Sequence, residues 1–202
     1  MLPSLIRIWE AVRAHHMDTW LAEQDLAWDW CAARGAAEDA AGEARLRQEA
    51  VGEVGKRPTI DANEEVMLTC VMDLIKAFEM TSLPVVWKWG IHYGFPRRVL
   101  RNVLTYFGYA RRLAVNGCLS EPLCTATAIV AGSRFSVWFL KLALMFPMET
   151  LHNLWPMATM KGYVDDLLLQ VQGLAHTITE TAGDMVEQCI SLLRENQLEV
   201  SR

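Results

Sequence analysis

The stretch "KGYVDDLLLQV" (161–171) sets two adjacent aspartates, Asp165 and Asp166, inside an apolar run. Like charges side by side repel, and each carboxylate is costly to take out of water. The flanking residues read as a strand. Neighbours on a regular strand point to opposite faces, so the two carboxylates cannot both point inward from one. A tight turn at the pair relaxes that rule. The stretch therefore predicts a hairpin, with Asp165 the primary ligand of whatever compensates the charge and Asp166 the secondary one.

A second acid-ended run lies upstream. "VMLTCVMD" (66–73) is rich in strand formers and closes on Asp73, which predicts a strand buried on both faces. If the two strands are neighbours, the carboxylates of Asp73 and Asp165 can converge, and with Asp166 they make three carboxylates with no facing base. Such a set suits a hard cation, Mg²⁺ above all, with phosphate oxygens completing the shell. Two such ions can activate an attacking oxygen and neutralise a leaving one, the two-metal route for phosphoryl transfer. An Asp-Asp pair alone is commonly no more than a solvated hairpin tip, so the flanking sequence has to carry the argument.

Working outward, the first third of the chain is helical in pattern. Leu5, Ile8, Trp9 and Val12 follow the spacing of a one-sided apolar face, and a second helix is predicted from Asp18 through Trp20, Trp28 and Cys31. Trp20, Trp28 and Trp30 read as core rather than as a base-stacking surface. An alanine-rich helical stretch (36–54) and the loop "GKRPTIDAN" (55–63) follow. Beyond the first strand, Ser82 is a candidate helix cap with Pro84 in the first turn, and Pro96 opens a helix with Val99, Leu100, Val103, Leu104 and Phe107 on one face. Asn116-Gly117 signals a hairpin between two short strands. Gly132-Ser133 precede an apolar helix that Pro147 should stop. Thr177 and Glu180 have capping-box spacing. Ile178, Ala182, Met185, Val186, Cys189, Ile190 and Leu193 trace a helical stripe, and "LEVS" (198–201) reads as a last strand. The fold class is α+β: a helical lobe (1–65) followed by a mixed part (66–202) in which strands ending in aspartate alternate with helices.

Composition agrees with a packed chain. Of 202 residues 52% are hydrophobic and 21% charged, enough for a sizeable core. The net charge of -5 hides a pattern: residues 1–65 hold 7 Lys/Arg against 13 Asp/Glu, residues 66–145 hold 9 against 3, and residues 146–202 hold 3 against 8. A basic middle between acidic flanks suits a polyanion track better than the total implies. Five cysteines without a CxxC pair read as reduced thiols of an intracellular protein, in nucleus or cytoplasm, and Cys118, Cys124 and His92 make no zinc spacing. "FSVWFLKLALMF" (135–146) is too short for a membrane span and contains Lys141, so it reads as a core helix and no membrane is expected.

The order of these motifs resembles reverse transcriptases, particularly those of non-LTR retrotransposons and group II introns. "VMDLIKAFE" (71–79) is similar to the family's first palm motif and "GYVDDLLL" (162–169) to its second acidic motif. Between them "HYGFPRRVLRNVLTYFGYARRLAVNG" (92–117) resembles the Gly-x-Pro helix and the following hairpin. "LPSLIRIWEAVR" (2–13) looks like the first fingers helix, and "LLRENQLEVS" (192–201) like the entry to the next palm motif. The resemblance covers nearly the whole chain. It implies a right-hand polymerase palm, an antiparallel sheet with packed helices, preceded by a helical fingers-like lobe and truncated before the thumb. It also implies RNA-directed DNA polymerase activity on an RNA template and a DNA primer with dNTPs, with two Mg²⁺ or Mn²⁺ ions held by Asp73, Asp165 and Asp166. Phe78 would be the steric gate against a 2′-hydroxyl, and Tyr163 would lie near the primer terminus. The arginines Arg97, Arg98, Arg101, Arg111, Arg112 and Arg134 would contact phosphates; an ordinary solvated helix face is their plainer reading.

One motif departs. The family's middle motif is Pro-Gln-Gly with Ser four residues after the Gly. "IVAGSRFS" (129–136) keeps Gly132 and Ser136 for template and nucleotide but has Val130-Ala131 in place of Pro-Gln. The chain also stops at Arg202, before the lysine of the following motif. These departures motivate a second reading, an inactive retrotransposon remnant or a domesticated nucleic-acid-binding module. A helical scaffold that binds protein through its tryptophans is a third.

Overall fold

The computed structural model describes residues 4–24, 61–130 and 132–201. The expected helices around Trp28, Trp30 and Cys31 and over 36–54 lie outside the described residues. The described residues form two compact units, each assembled from separated segments: residues 4–24, 76–130, 132–145 and 196–198 in one, residues 61–75, 146–195 and 199–201 in the other.

The first unit is helical. Helix α1 (Ser4–Gln24) is one unbroken helix, with no second start at Asp18. Of its predicted apolar face only Trp9 is half-buried, while Leu5, Ile8 and Val12 are turned to solvent at 80%, 61% and 59% exposed. The buried side holds Met17, Trp20 and Leu21, together with Glu10. Periodicity identifies a stripe, but the partner decides which stripe is covered. Here an aromatic cluster decides it: Trp9 lies 5.8 Å from Phe135, and Trp20 stands edge-on to Phe95 at 4.9 Å. Phe95 and Phe107 each meet Phe139 at 5.7 Å. Short α2 (Ala77–Met80) leads to α3 (Leu83–His92), which starts at Ser82 with a proline in its first turn, although the Ser82 hydroxyl makes no capping bond. Helix α4 (Arg97–Phe107) buries Val99, Leu100, Val103 and Phe107 as the spacing predicts. It packs so tightly on α3 that a Cβ at Gly90 would stand 2.7 Å from a Leu100 methyl. The hairpin β2 (Ala114–Val115) and β3 (Cys118–Leu119) turns at Asn116 and Gly117, both at positive φ (50° and 79°), as a type I′ turn requires.

Helix α5 (Phe135–Leu154) runs through Pro147 rather than stopping there. A proline inside a helix costs about 3 kcal/mol. Met148 and Leu151 beyond it are fully buried, and each such side chain contributes about 1.5–3 kcal/mol, so packing outweighs the local penalty.

The second unit is a three-stranded antiparallel sheet in the order β1 (Glu65–Asp73), β5 (Asp166–Leu174), β4 (Thr159–Tyr163). Helix α6 (Ala175–Glu195) covers one face with Ile178, Ala182, Met185, Cys189 and Leu193, the predicted stripe. Cys70 faces it: burial pushes the Cys189 thiol up to about 12, and Cys70 adds to the shift. Helix α6 begins two residues before Thr177, whose hydroxyl donates to the Leu174 carbonyl instead of capping the helix. Strand β1 is not buried on both faces. Val66 and Met72 point to the core, whereas Thr69, Val71 (67% exposed) and Asp73 stand on the other face. The expected C-terminal strand is a single bridge, Leu74 with Val200. It is flanked by Ile75 N–H donating to Glu199 O (2.8 Å) and Ser201 N–H donating to Asp73 O (2.7 Å).

Candidate functional site

The acidic residues meet through strand register. Asp73, the last residue of β1, pairs with Asp166, the first of β5, and Asp166 pairs in turn with Tyr163, the last of β4. Residues paired across strands share a face, so Asp73, Asp166 and Tyr163 form one row on the face that α6 does not cover. Next to it on the same face runs Val71, Leu168, Lys161. Strands β4 and β5 are joined by Val164 and Asp165 alone, which is the expected hairpin at the acidic pair. Val164 adopts φ 57°, a conformation that is strained for a β-branched residue.

The alternation of the ladder fixes how closely the acids stand. Leu74 N–H donates to Asp165 O at 3.1 Å, and the Asp73 carbonyl turns the other way, to Ser201. Asp73 and Asp166 are therefore a non-hydrogen-bonded pair, with Cα atoms about 4.5 Å apart and side chains at their closest. Opposed like charges are destabilising in that position. Burial, then Asp165, then Asp73 raise the Asp166 pKa above the usual 3.8. The register thus sets Asp166 against Asp73 and leaves Asp165 half-buried in the turn. The donor set, carboxylate oxygens on short backbone supports, has the chemistry of a hard-cation site. The three do not form a closed ligand set as they stand: among the described residues, no three His, Cys, Asp or Glu side chains are grouped to hold a metal.

The remaining candidates lie in the helical unit. Phe78 is half-buried in α2, and its carbonyl accepts the Ile129 N–H at 2.8 Å. With the Ser82–Thr127 bridge, this ties the Phe78 segment to the strand-like lead into Gly132. Gly132 is exposed at φ 86°, and a Cβ there would meet nothing within 4 Å, so the glycine serves its backbone angle rather than space. Ser136 is buried and its hydroxyl donates to Val130 O at 2.6 Å, closing the loop. Ala131 lies outside the described residues.

All six arginines are exposed. Arg97, Arg98 and Arg101 share the outer side of α4, opposite its buried residues. Arg111 instead donates to the Phe107 carbonyl at 2.9 Å, serving the end of α4, and Arg112 donates to Ser120 O at 3.4 Å. Arg98 also lines a cavity of about 460 Å³ together with Arg13, which sequence reasoning missed because it lies in an otherwise acidic segment. Glu10 was missed as well. It is 1% exposed, it accepts the Ser133 hydroxyl at 2.6 Å and the Arg134 N–H at 3.2 Å, and nothing in its sequence neighbourhood marks it. Among the described residues no helix is long and apolar enough to cross a membrane.

No protein-family profile matches the chain, and no curated protein matches it. Among solved structures, the telomerase of Candida albicans, in complex with a TWJ fragment of telomeric RNA, aligns over 98% of this chain with a TM-score of 0.56 and 11% identity. The chain spans 32% of that telomerase chain. At this identity the likeness shows the fold alone.

Proposed function

We propose that the chain is the core of an RNA-directed DNA polymerase, a palm with a fingers-like lobe of the non-LTR retrotransposon or group II intron type. The observation that carries the reading is the register that opposes Asp73 and Asp166 beside a two-residue turn holding Asp165. Two divalent ions bound by these carboxylates would supply activation of the primer 3′-oxygen and charge neutralisation of the departing pyrophosphate. Asp73 and Asp166 hold such ions from opposed strand ends, and Asp165 approaches from the turn. Tyr163, in the same row, rests near the primer terminus. Phe78 excludes a 2′-hydroxyl, and the Gly132–Ser136 loop seats template and incoming nucleotide. The arginines of α4 contact phosphates, in keeping with the basic middle of the sequence.

Val130-Ala131 stand where the family's middle motif has Pro-Gln, which favours one alternative: a nucleic-acid-binding module without catalysis. Mg²⁺-dependent primer extension on an RNA template, with wild type and Asp165→Ala, separates the two. The polymerase reading expects incorporation by wild type and a loss of at least about a hundredfold in the variant, the scale of removing a stabiliser of developing charge. A wild type that binds the duplex but incorporates nothing sinks it in favour of the alternative.

A further inference from the structure

Glu10 sits on α1, more than a hundred residues from the loop it holds, and its carboxylate is almost completely buried. A buried carboxylate is costly unless hydrogen bonds satisfy it. Both of its oxygens are engaged: Oε1 by the Ser133 hydroxyl at 2.6 Å, Oε2 by the Arg134 N–H at 3.2 Å. With its proton committed to Glu10, the Ser133 oxygen turns its lone pairs to the Phe135 N–H, which donates to it at 3.1 Å. The bonds form a chain, Phe135 to Ser133 to Glu10, in which each polarises the next. Tyr106 lies near the same pocket, and burial first, then Glu10, raise its pKa above the usual 10.0.

A helix start needs no such arrangement, since the Ser133 hydroxyl alone meets the usual demand for a cap. The glutamate adds fixation of two consecutive residues from behind. Those two follow Gly132 directly, and its outer side is open.

We propose that Glu10 is a positioning residue for the nucleotide-seating loop: it clamps Ser133 and Arg134 so that Gly132 and the Arg134 side chain present one fixed geometry to template and nucleotide. The role given to the loop rests on the polymerase reading. The clamp itself does not.

The experiment uses the full chain and the variants Glu10→Gln and Ser133→Ala, with Ser133→Thr as the conservative rescue. Glutamine offers one acceptor oxygen, and its amide nitrogen cannot accept the second donor. Expected is a rise of about tenfold in KM for the nucleotide with kcat within about threefold, the scale of losing a charge-assisted hydrogen bond. Amide exchange at residues 133–136 should quicken by a similar factor, and Ser133→Thr should stay near wild type in both. Unchanged KM and exchange in Glu10→Gln and Ser133→Ala overturn the proposal. So does a fall in kcat at constant KM, which marks a merely structural role. If wild type incorporates nothing, the polymerase reading fails on its own. The clamp is then judged by exchange at 133–136 and by template–primer affinity, and values equal to wild type in both refute it.

Discussion

Replacing Asp166 by Asn removes one of two opposed charges while keeping the shape of the side chain. Both Asp73 and Asp166 are exposed, so their repulsion acts through solvent. Two unit charges roughly 6 Å apart at high dielectric repel by about 0.7 kcal/mol, which salt trims to about 0.5 kcal/mol. For a chain of this size each kcal/mol moves Tm by about 2–4 °C. In EDTA at neutral pH the variant should therefore melt about 1–2 °C above wild type. Divalent cation should reverse the order. At 10 mM Mg²⁺ and a Kd on the order of 1 mM, wild type gains about 1.4 kcal/mol, or about 3–6 °C, and the variant gains less than about 1 °C. The pH dependence follows from linkage. The folded-state pKa of Asp166 lies above 3.8, so the folded chain binds more protons than the unfolded one between those two values. The favourable contribution is complete below 3.8 and is lost as pH rises through the folded value. Lowering the pH through that window should therefore shrink the advantage of the variant in EDTA. Melting curves by circular dichroism, with and without Mg²⁺, at neutral pH and near pH 4, test the whole set. An Asn variant that is less stable than wild type in EDTA, or that gains as much from Mg²⁺, would refute the reasoning.

Two further outcomes are expected. Val164→Asn places a residue tolerant of the left-handed region at φ 57° and should raise stability by about 1 kcal/mol, read as a Tm gain; an unchanged or lower Tm would mean that the turn is not strained. Replacing Arg97, Arg98 and Arg101 together by Ala should lower the slope of log affinity against log salt for template–primer binding by about 0.9 for each phosphate no longer neutralised, and an unaltered slope would remove these residues from the interface.

Much of the candidate site could be read from local chemistry. Asn116-Gly117 turned where positive φ is cheap, and the DD pair turned because a strand cannot face both carboxylates one way. The stripe of α6 was legible because a helix against a sheet buries one side. What escaped reading depends on partners far off in sequence. Nothing near Leu5, Ile8 and Val12 reports that the aromatic cluster takes the other side of α1. Pro147 stays helical because residues beyond it are buried, and Glu10 is worth burying only because Ser133 and Arg134 come to meet it. Asp166, rather than Asp165, faces Asp73 for a reason of the same kind, since pairing register is a property of two strands together.

That register also dictates an order of assembly. The hairpin of β4 and β5 closes over two residues and can form within about 1–10 μs. Its pairing with β1 must close a loop of roughly ninety residues, with an entropic cost that no local contact relieves. On the ribosome, Asp73 emerges long before its partner, and β1 waits with its ladder unpaired until Asp166 and the rest of β5 have been made. The acidic row is thus a late product of folding, and during synthesis the unpaired β1 is a strand edge open to other chains.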